Sequence, residues 1–139
     1  MRYVSTLLVA ICSLGTLGCG PKKVAIKPGP ALIGVNLSGR WFSPDFGEMK
    51  LVHAGQKVTG NYLDPRGPEH NGRFGGDVVG DLLMLTWIKP GDRAAAVMSQ
   101  RGKAYLRIKD RGQRLEGRWG YDESNDDGGP WRAEKSTTE

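Results

Sequence analysis

Cysteine and histidine are almost absent from this chain, with two of each among 139 residues. Cys12 lies inside the apolar N-terminal run and Cys19 ends it. A domain that follows Cys19 therefore has no disulfide, no free thiol and no cysteine metal ligand, and it must hold together by its core. His53 falls beside a turn and His70 in a Pro/Gly loop. Neither spacing sets a base beside a serine and an acid, as nucleophilic catalysis requires. Helical periodicity is missing as well. No window of a dozen residues keeps apolar positions at i, i+3, i+4, and glycines interrupt every attempt. The longest apolar run, from Tyr3 to Leu17, is shorter than the ~20 residues a membrane-crossing helix needs.

What the chain does have is a phrase used twice. Gly55-Gln56-Lys57-Val58-Thr59-Gly60-Asn61-Tyr62 returns as Gly112-Gln113-Arg114-Leu115-Glu116-Gly117-Arg118-Trp119. A shorter relative, Leu37-Ser38-Gly39-Arg40-Trp41, opens the ordered part. In an extended chain Val58, Gly60 and Tyr62 share one face, as do Leu115, Gly117 and Trp119. A glycine between an aliphatic and an aromatic residue leaves a notch where a ring or a neighbouring backbone can approach, or where the strand bends. Repeated bends are what a small curved sheet needs. Each phrase follows another alternating run and a turn signal, Ala54-Gly55-Gln56 or Asp110-Arg111-Gly112 with glycine in the left-handed position.

These runs predict an all-β domain, an antiparallel meander barrel or strongly curved sheet of seven or eight strands. The expected strands are Leu37 to Ser43, Glu48 to His53, Lys57 to Leu63, Arg73 to Val79, Asp81 to Ile88, Lys103 to Lys109, Arg114 to Tyr121 and Pro130 to Glu134, with a short extra strand at Ala94 to Ser99. Asp64 to Gly72 and Asp122 to Gly129 read as loops. Closing such a sheet into a barrel removes its exposed edges.

The N-terminus supplies an address. Met1-Arg2 is a short basic start, and the apolar run that follows has the layout of a secretory signal. Its ending, Thr16-Leu17-Gly18-Cys19, resembles the lipobox of bacterial lipoproteins. That resemblance implies lipidation of Cys19 and attachment to the membrane through it. Gly20 follows the cysteine in place of the aspartate that favours inner-membrane retention, which implies the outer membrane. The organisation expected is a signal segment at residues 1–18, a tether at 19–35 and a domain at 36–135, with a disordered tail at 136–139. The tether holds Pro21, Pro28 and Pro30 and is extended. Its lysines either serve solubility or lie against anionic headgroups. Ala31 to Val35 is apolar enough to dock on the domain.

Leu37-Ser38-Gly39-Arg40-Trp41-Phe42 and Val58-Thr59-Gly60-Asn61-Tyr62 resemble the first and third strands of avidins, and more loosely the Gly-x-Trp opening of lipocalins. Both families are eight-stranded meander barrels with a ligand in the mouth. The resemblance implies such a fold and places Tyr62 in a pocket. Ser43 and Asp64 stand where avidins carry asparagine and serine, and biotin is not carried over. The ligand-binding candidates are Trp41, Tyr62 and Asp64, around the long polar Asp64–Gly72 loop.

Other clusters offer less. Asp122, Ser124, Asp126 and Asp127 could hold calcium through clustered oxygens. Asp127 takes the place of the glycine an EF-hand loop needs, however, and no glutamate closes it. Asp64, Glu69 and His70 form the one polar grouping on which a hydrolase site could be built. Lys103, Arg107, Lys109, Arg111, Arg114, Arg118 and Arg132 make the C-terminal half basic, and the whole chain has a formal charge of +5. In an exported protein that favours acidic glycans, envelope proteins or anionic lipid over nucleic acid as partners. Trp87 and Trp119 are expected in the core, with Trp41 and Trp131 open between core and pocket. The function expected is non-catalytic binding or accessory work in the envelope, without a cofactor. The alternative is the hydrolase at Asp64, Glu69 and His70.

Overall fold

The alternating runs pair in chain order and close on themselves in the computed structural model, which describes residues 25–137 except Asp92, Ala95 and Val97. The signal segment and Cys19 lie outside the described residues. Eight antiparallel strands form one closed barrel: β1 (Gly39–Ser43), β2 (Gly47–Ala54), β3 (Lys57–Leu63), β4 (Gly72–Val79), β5 (Leu82–Lys89), β6 (Gln100–Lys109), β7 (Arg114–Tyr121) and β8 (Gly129–Lys135). The seam is β1 against β8, with Trp41 opposite Lys135 and Phe42 opposite Glu134.

Period-two alternation builds the core. On β6 Gly102, Ala104, Leu106 and Ile108 face inward, while Lys103, Tyr105, Arg107 and Lys109 face out. Met49 and Leu51 of β2, Val58 and Tyr62 of β3, Leu83, Leu85 and Trp87 of β5, and Leu115 of β7 meet them inside. Burying each large apolar side chain stabilises the barrel by about 1.5–3 kcal/mol. The two phrase glycines, Gly60 and Gly117, face inward as expected and do so in equivalent places. Gly60 pairs with Leu51, and a Cβ there would lie 2.6 Å from the Lys50 carbonyl oxygen. Gly117 pairs with Leu106, and its Cβ would press still harder on the Tyr105 carbonyl. In both copies the preceding strand's backbone fills the notch. At Gly60 the Phe74 ring fills it too.

Two local expectations are corrected. The described residues of the Ala94–Ser99 stretch form turn and loop, and Ala96 has a left-handed φ of 54°. The next strand starts at Gln100, because Gln100 and Arg101 complete the ladder opposite Lys89 and Ile88. The β6–β7 turn also differs. Asp110, Arg111 and Gly112 all take positive φ, forming a short 3-10 turn where only the glycine was expected to be left-handed.

The barrel has two unlike ends. At one, the short β2–β3, β4–β5 and β6–β7 turns meet the chain that leads into β1. The Gly29 N–H donates to Asp81 Oδ1 at 2.7 Å. Arg107 grips both oxygens of the same carboxylate at 2.7 Å and also donates to the Lys27 carbonyl. Burial pushes the Asp81 carboxyl up, but these hydrogen bonds outweigh it and hold the group below its ordinary value. Val35 and Leu37 then pack over the β6–β7 turn at Gly112, and Leu37 is fully buried. Part of the segment expected to be tether is therefore bound to the barrel. The other end gathers the longer loops.

Candidate functional site

A meander brings the ends of β1, β3, β5 and β7 together with the starts of β2, β4, β6 and β8 at that second end. Inward positions there are aromatic on four of the eight strands: Tyr62 lies near the end of β3, Trp87 near the end of β5, Trp119 near the end of β7, and Trp131 near the start of β8. They line a cavity of about 700 Å³, within the range of small-molecule sites.

Phe46 joins them from the β1–β2 turn. Ser43, fully buried, accepts hydrogen bonds from the Asp45 and Phe46 N–H groups through its hydroxyl at 3.2 and 3.1 Å. Asp45 in turn takes the Arg132 N–H, Nε and guanidinium NH₂ on its two oxygens. The turn is thus tied to β8, and the Phe46 ring lies 4.8 Å from Trp131, 5.4 Å from Tyr62 and 5.7 Å from Trp119, centroid to centroid. Trp119 sits edge-on to Trp87 at 5.6 Å and to Tyr121 at 5.0 Å. The walls are therefore a continuous tilted aromatic array, a geometry that favours ring–ring contact.

The polar lining is mostly committed. Both Asp64 oxygens are held by Arg66, through its backbone N–H, Nε and NH₂ at 2.6–2.9 Å. The Arg66 hydrogen bonds pull the Asp64 carboxyl down to about 2. Asp45 is likewise held low by Arg132. Burial, then the Asp64 charge, raise the Tyr62 hydroxyl to about 12, so it stays protonated. The Trp87 indole donates to the Gly120 carbonyl at 3.1 Å, whereas the buried Trp131 Nε1 has no partner among the described residues. Lys89 and Gln100 stand at the rim.

The depressed Asp64 value gives a testable acid limb. A carboxyl whose folded pKa is depressed stabilises the fold above its unfolded value of 3.8 and loses that contribution as pH falls toward about 2. Asp64→Asn should be less stable than the parent at about pH 5, with the gap closing near pH 2 in urea unfolding. A gap independent of pH would mean that the Arg66 pair contributes nothing through charge.

The sequence candidates fall in different places. Tyr62 and Asp64 line the cavity. Trp41 does not. It is fully buried, and its Nε1 donates to the Leu37 carbonyl at 2.9 Å, toward the closed end. His70 lines the cavity, but its Nε2 is 3.7 Å from Glu69 Oε1, and Asp64 is occupied by Arg66. In the acidic loop Asp127 Oδ1 accepts from the Tyr121 N–H, Asp126 Oδ1 from the Ser124 hydroxyl, and Asp122 lies 4.0 Å from Arg101. Among the described residues no three His, Cys, Asp or Glu side chains converge to hold an ion. The basic C-terminal half is largely paired. Arg107 binds Asp81, Lys109 and Arg114 share Glu116, Arg132 binds Asp45, and Lys103 binds Glu123.

Phe46, Lys89, Gln100 and Tyr121 had no sequence signal as site residues. Trp87 and Trp119, expected as core, are also wall. Their place at the same barrel end could have been found from the meander and the inward alternation taken together. Compared with known protein families, curated proteins and solved structures, the chain matches none.

Proposed function

We propose that this protein is a lipid-anchored envelope protein that binds a small ligand non-catalytically in the aromatic mouth of its barrel. The cavity walled by Phe46, Tyr62, Trp87, Trp119, Tyr121 and Trp131 carries the reading. Two features favour binding over catalysis. The Asp45 and Asp64 carboxylates that line the mouth are each occupied by an arginine, and among the described residues His70 has only Glu69, at 3.7 Å, as an acid beside it, with no hydrogen-bonded nucleophile. The strand motifs also resemble those of avidins and lipocalins, barrels with a ligand in the mouth.

The lipobox-like Leu17-Gly18-Cys19 ending supports anchoring through Cys19, with the outer membrane as the expected site. The clasp at Gly29 and Asp81 lies at the closed end, so an anchored barrel turns its mouth away from the lipid surface. Cys19→Ser should abolish labelling by a fatty-acid probe and release the protein to the soluble fraction. Labelling that persists in the serine variant refutes the anchor.

Binding is tested by tryptophan fluorescence and thermal shift against a panel of small aromatics, sugars and fatty acids. A ligand in the mouth should perturb emission and protect Trp119, which is partly exposed, from acrylamide. It should leave the shielding of Trp41 unchanged. A panel that moves neither observable, in protein whose unfolding is cooperative, sinks the binding reading.

A further inference from the structure

The donor and acceptor inventory of the mouth says what kind of ligand it takes. Both carboxylates that line it have their two oxygens committed to Arg66 and Arg132. They are therefore neutralised and have little accepting capacity left for a guest. What remains is weighted toward donors. The Tyr62 hydroxyl is held protonated by burial. The Trp131 indole N–H has no acceptor among the described residues, but it is sealed from the cavity, and the Trp87 indole is spent on a carbonyl. Lys89 lines the mouth and makes no ion pair with any described residue, unlike Lys103, Arg107, Lys109 and Arg132. An ammonium group offers three donors and no acceptor. Beside these donors stand tilted rings, which present flat apolar faces and edges 5–6 Å apart from centroid to centroid.

A cationic ligand would meet two carboxylates already satisfied and a lysine that no described residue pairs. A sugar, rich in hydroxyl donors, would find both carboxylates taken and only neutral acceptors, the Gln100 amide and the tyrosine hydroxyls, left for them. A flat acid satisfies both halves of the site: its ring replaces water against Trp119, Phe46 and Tyr121, and its oxygens accept from Lys89 and the Tyr62 hydroxyl. We infer that the mouth of the barrel is a site for planar aromatic or heteroaromatic carboxylates, with Lys89 as the residue that selects the anion and Trp119 as the main stacking surface. This inference rests on the binding reading above and narrows it.

The test uses isothermal titration of the folded protein with three probes: naphthoate, its neutral isostere naphthylmethanol, and the aliphatic acid decanoate. Naphthoate should bind most tightly. Lys89→Met should weaken naphthoate by about tenfold, the effect of losing one charge-assisted hydrogen bond, and should leave naphthylmethanol nearly unchanged. Trp119→Leu should weaken both naphthyl probes. If naphthylmethanol equals naphthoate, or Lys89→Met affects both alike, the anion selectivity is wrong and the ligand pocket stands. If decanoate equals naphthoate, the planar requirement is wrong. If none of the three binds and the wider panel also leaves fluorescence unchanged, the pocket reading fails with it.

Discussion

A single methyl group at Gly117 is expected to cost the barrel about 3 kcal/mol or more, enough to remove a large part of a small domain's stability. Gly117→Ala places a Cβ against the Tyr105 carbonyl of the adjacent strand, closer than real Cβ atoms come to backbone. The obstacle is main chain, held in the β6–β7 ladder by the pairs on either side, so it cannot rotate away as a side chain would. Gly60→Ala meets the same kind of obstacle more gently. Its Cβ would stand 2.6 Å from the Lys50 carbonyl, and the second obstacle is the edge of the Phe74 ring, which can tilt. The expected cost there is about 1–3 kcal/mol. Urea unfolding of the two alanine variants measures the order. Equal and small losses at both positions would mean that the sheet relaxes freely around its notches, and that the repeated phrase does not set the barrel's curvature.

The contrast between these glycines marks what sequence can and cannot convey. Period-two alternation with one buried face made the eight strands legible, because a slip of one residue would turn every apolar side chain outward. The stretch from Ala94 to Ser99 misled because alanines carry little directional signal. The strand that does form nearby begins with polar Gln100 and Arg101, whose place is decided by hydrogen bonding to Lys89 and Ile88. The phrase showed that Gly60 and Gly117 were equivalent, but what fills each notch is set by residues outside it, Phe74 and Lys50 for one and Tyr105 for the other.

The candidate site was half legible for a related reason. Tyr62 could be placed at a mouth because its strand motif resembles that of avidins and because it stands near the strand end, before the longest polar loop. Trp41 was expected at a similar level, and the ladder agrees: Trp41 pairs with Met49, which pairs with Tyr62. A shared row does not fix the direction in which a ring leans. The Leu37 carbonyl draws the Trp41 indole toward the closed end, and no spacing rule foretells that bond. The basic run had the same limit. Its charges are visible in the sequence, but their partners are distant in it, Asp45 for Arg132 and Asp81 for Arg107. Pairing converts an apparent anion-binding face into a set of local clamps. It also leaves Lys89, which the charge run does not include, at the mouth without an ion pair among the described residues.

The two tryptophans that follow the repeated glycine motif should therefore fail in opposite ways when removed. Trp41 is fully buried, hydrogen-bonded to Leu37 and overlain by the Lys135 ammonium at 6.0 Å from its ring. Trp41→Ala leaves a cavity the barrel cannot collapse around, because the β1–β2 and β1–β8 ladders hold the surrounding backbone. The expected loss is about 3–5 kcal/mol. It should also loosen the chain before β1, since the Leu37 carbonyl then loses its donor. Trp119 is only partly buried, and it borders the open mouth rather than the packed centre. Trp119→Ala should cost less stability than Trp41→Ala, because water can enter the space it leaves, and it should remove most of the affinity for ring-bearing ligands. Thermal unfolding and titration on the same two variants separate the roles. A Trp41 variant that stays stable and loses binding, beside a Trp119 variant that unfolds and keeps it, would reverse the assignment of core and site.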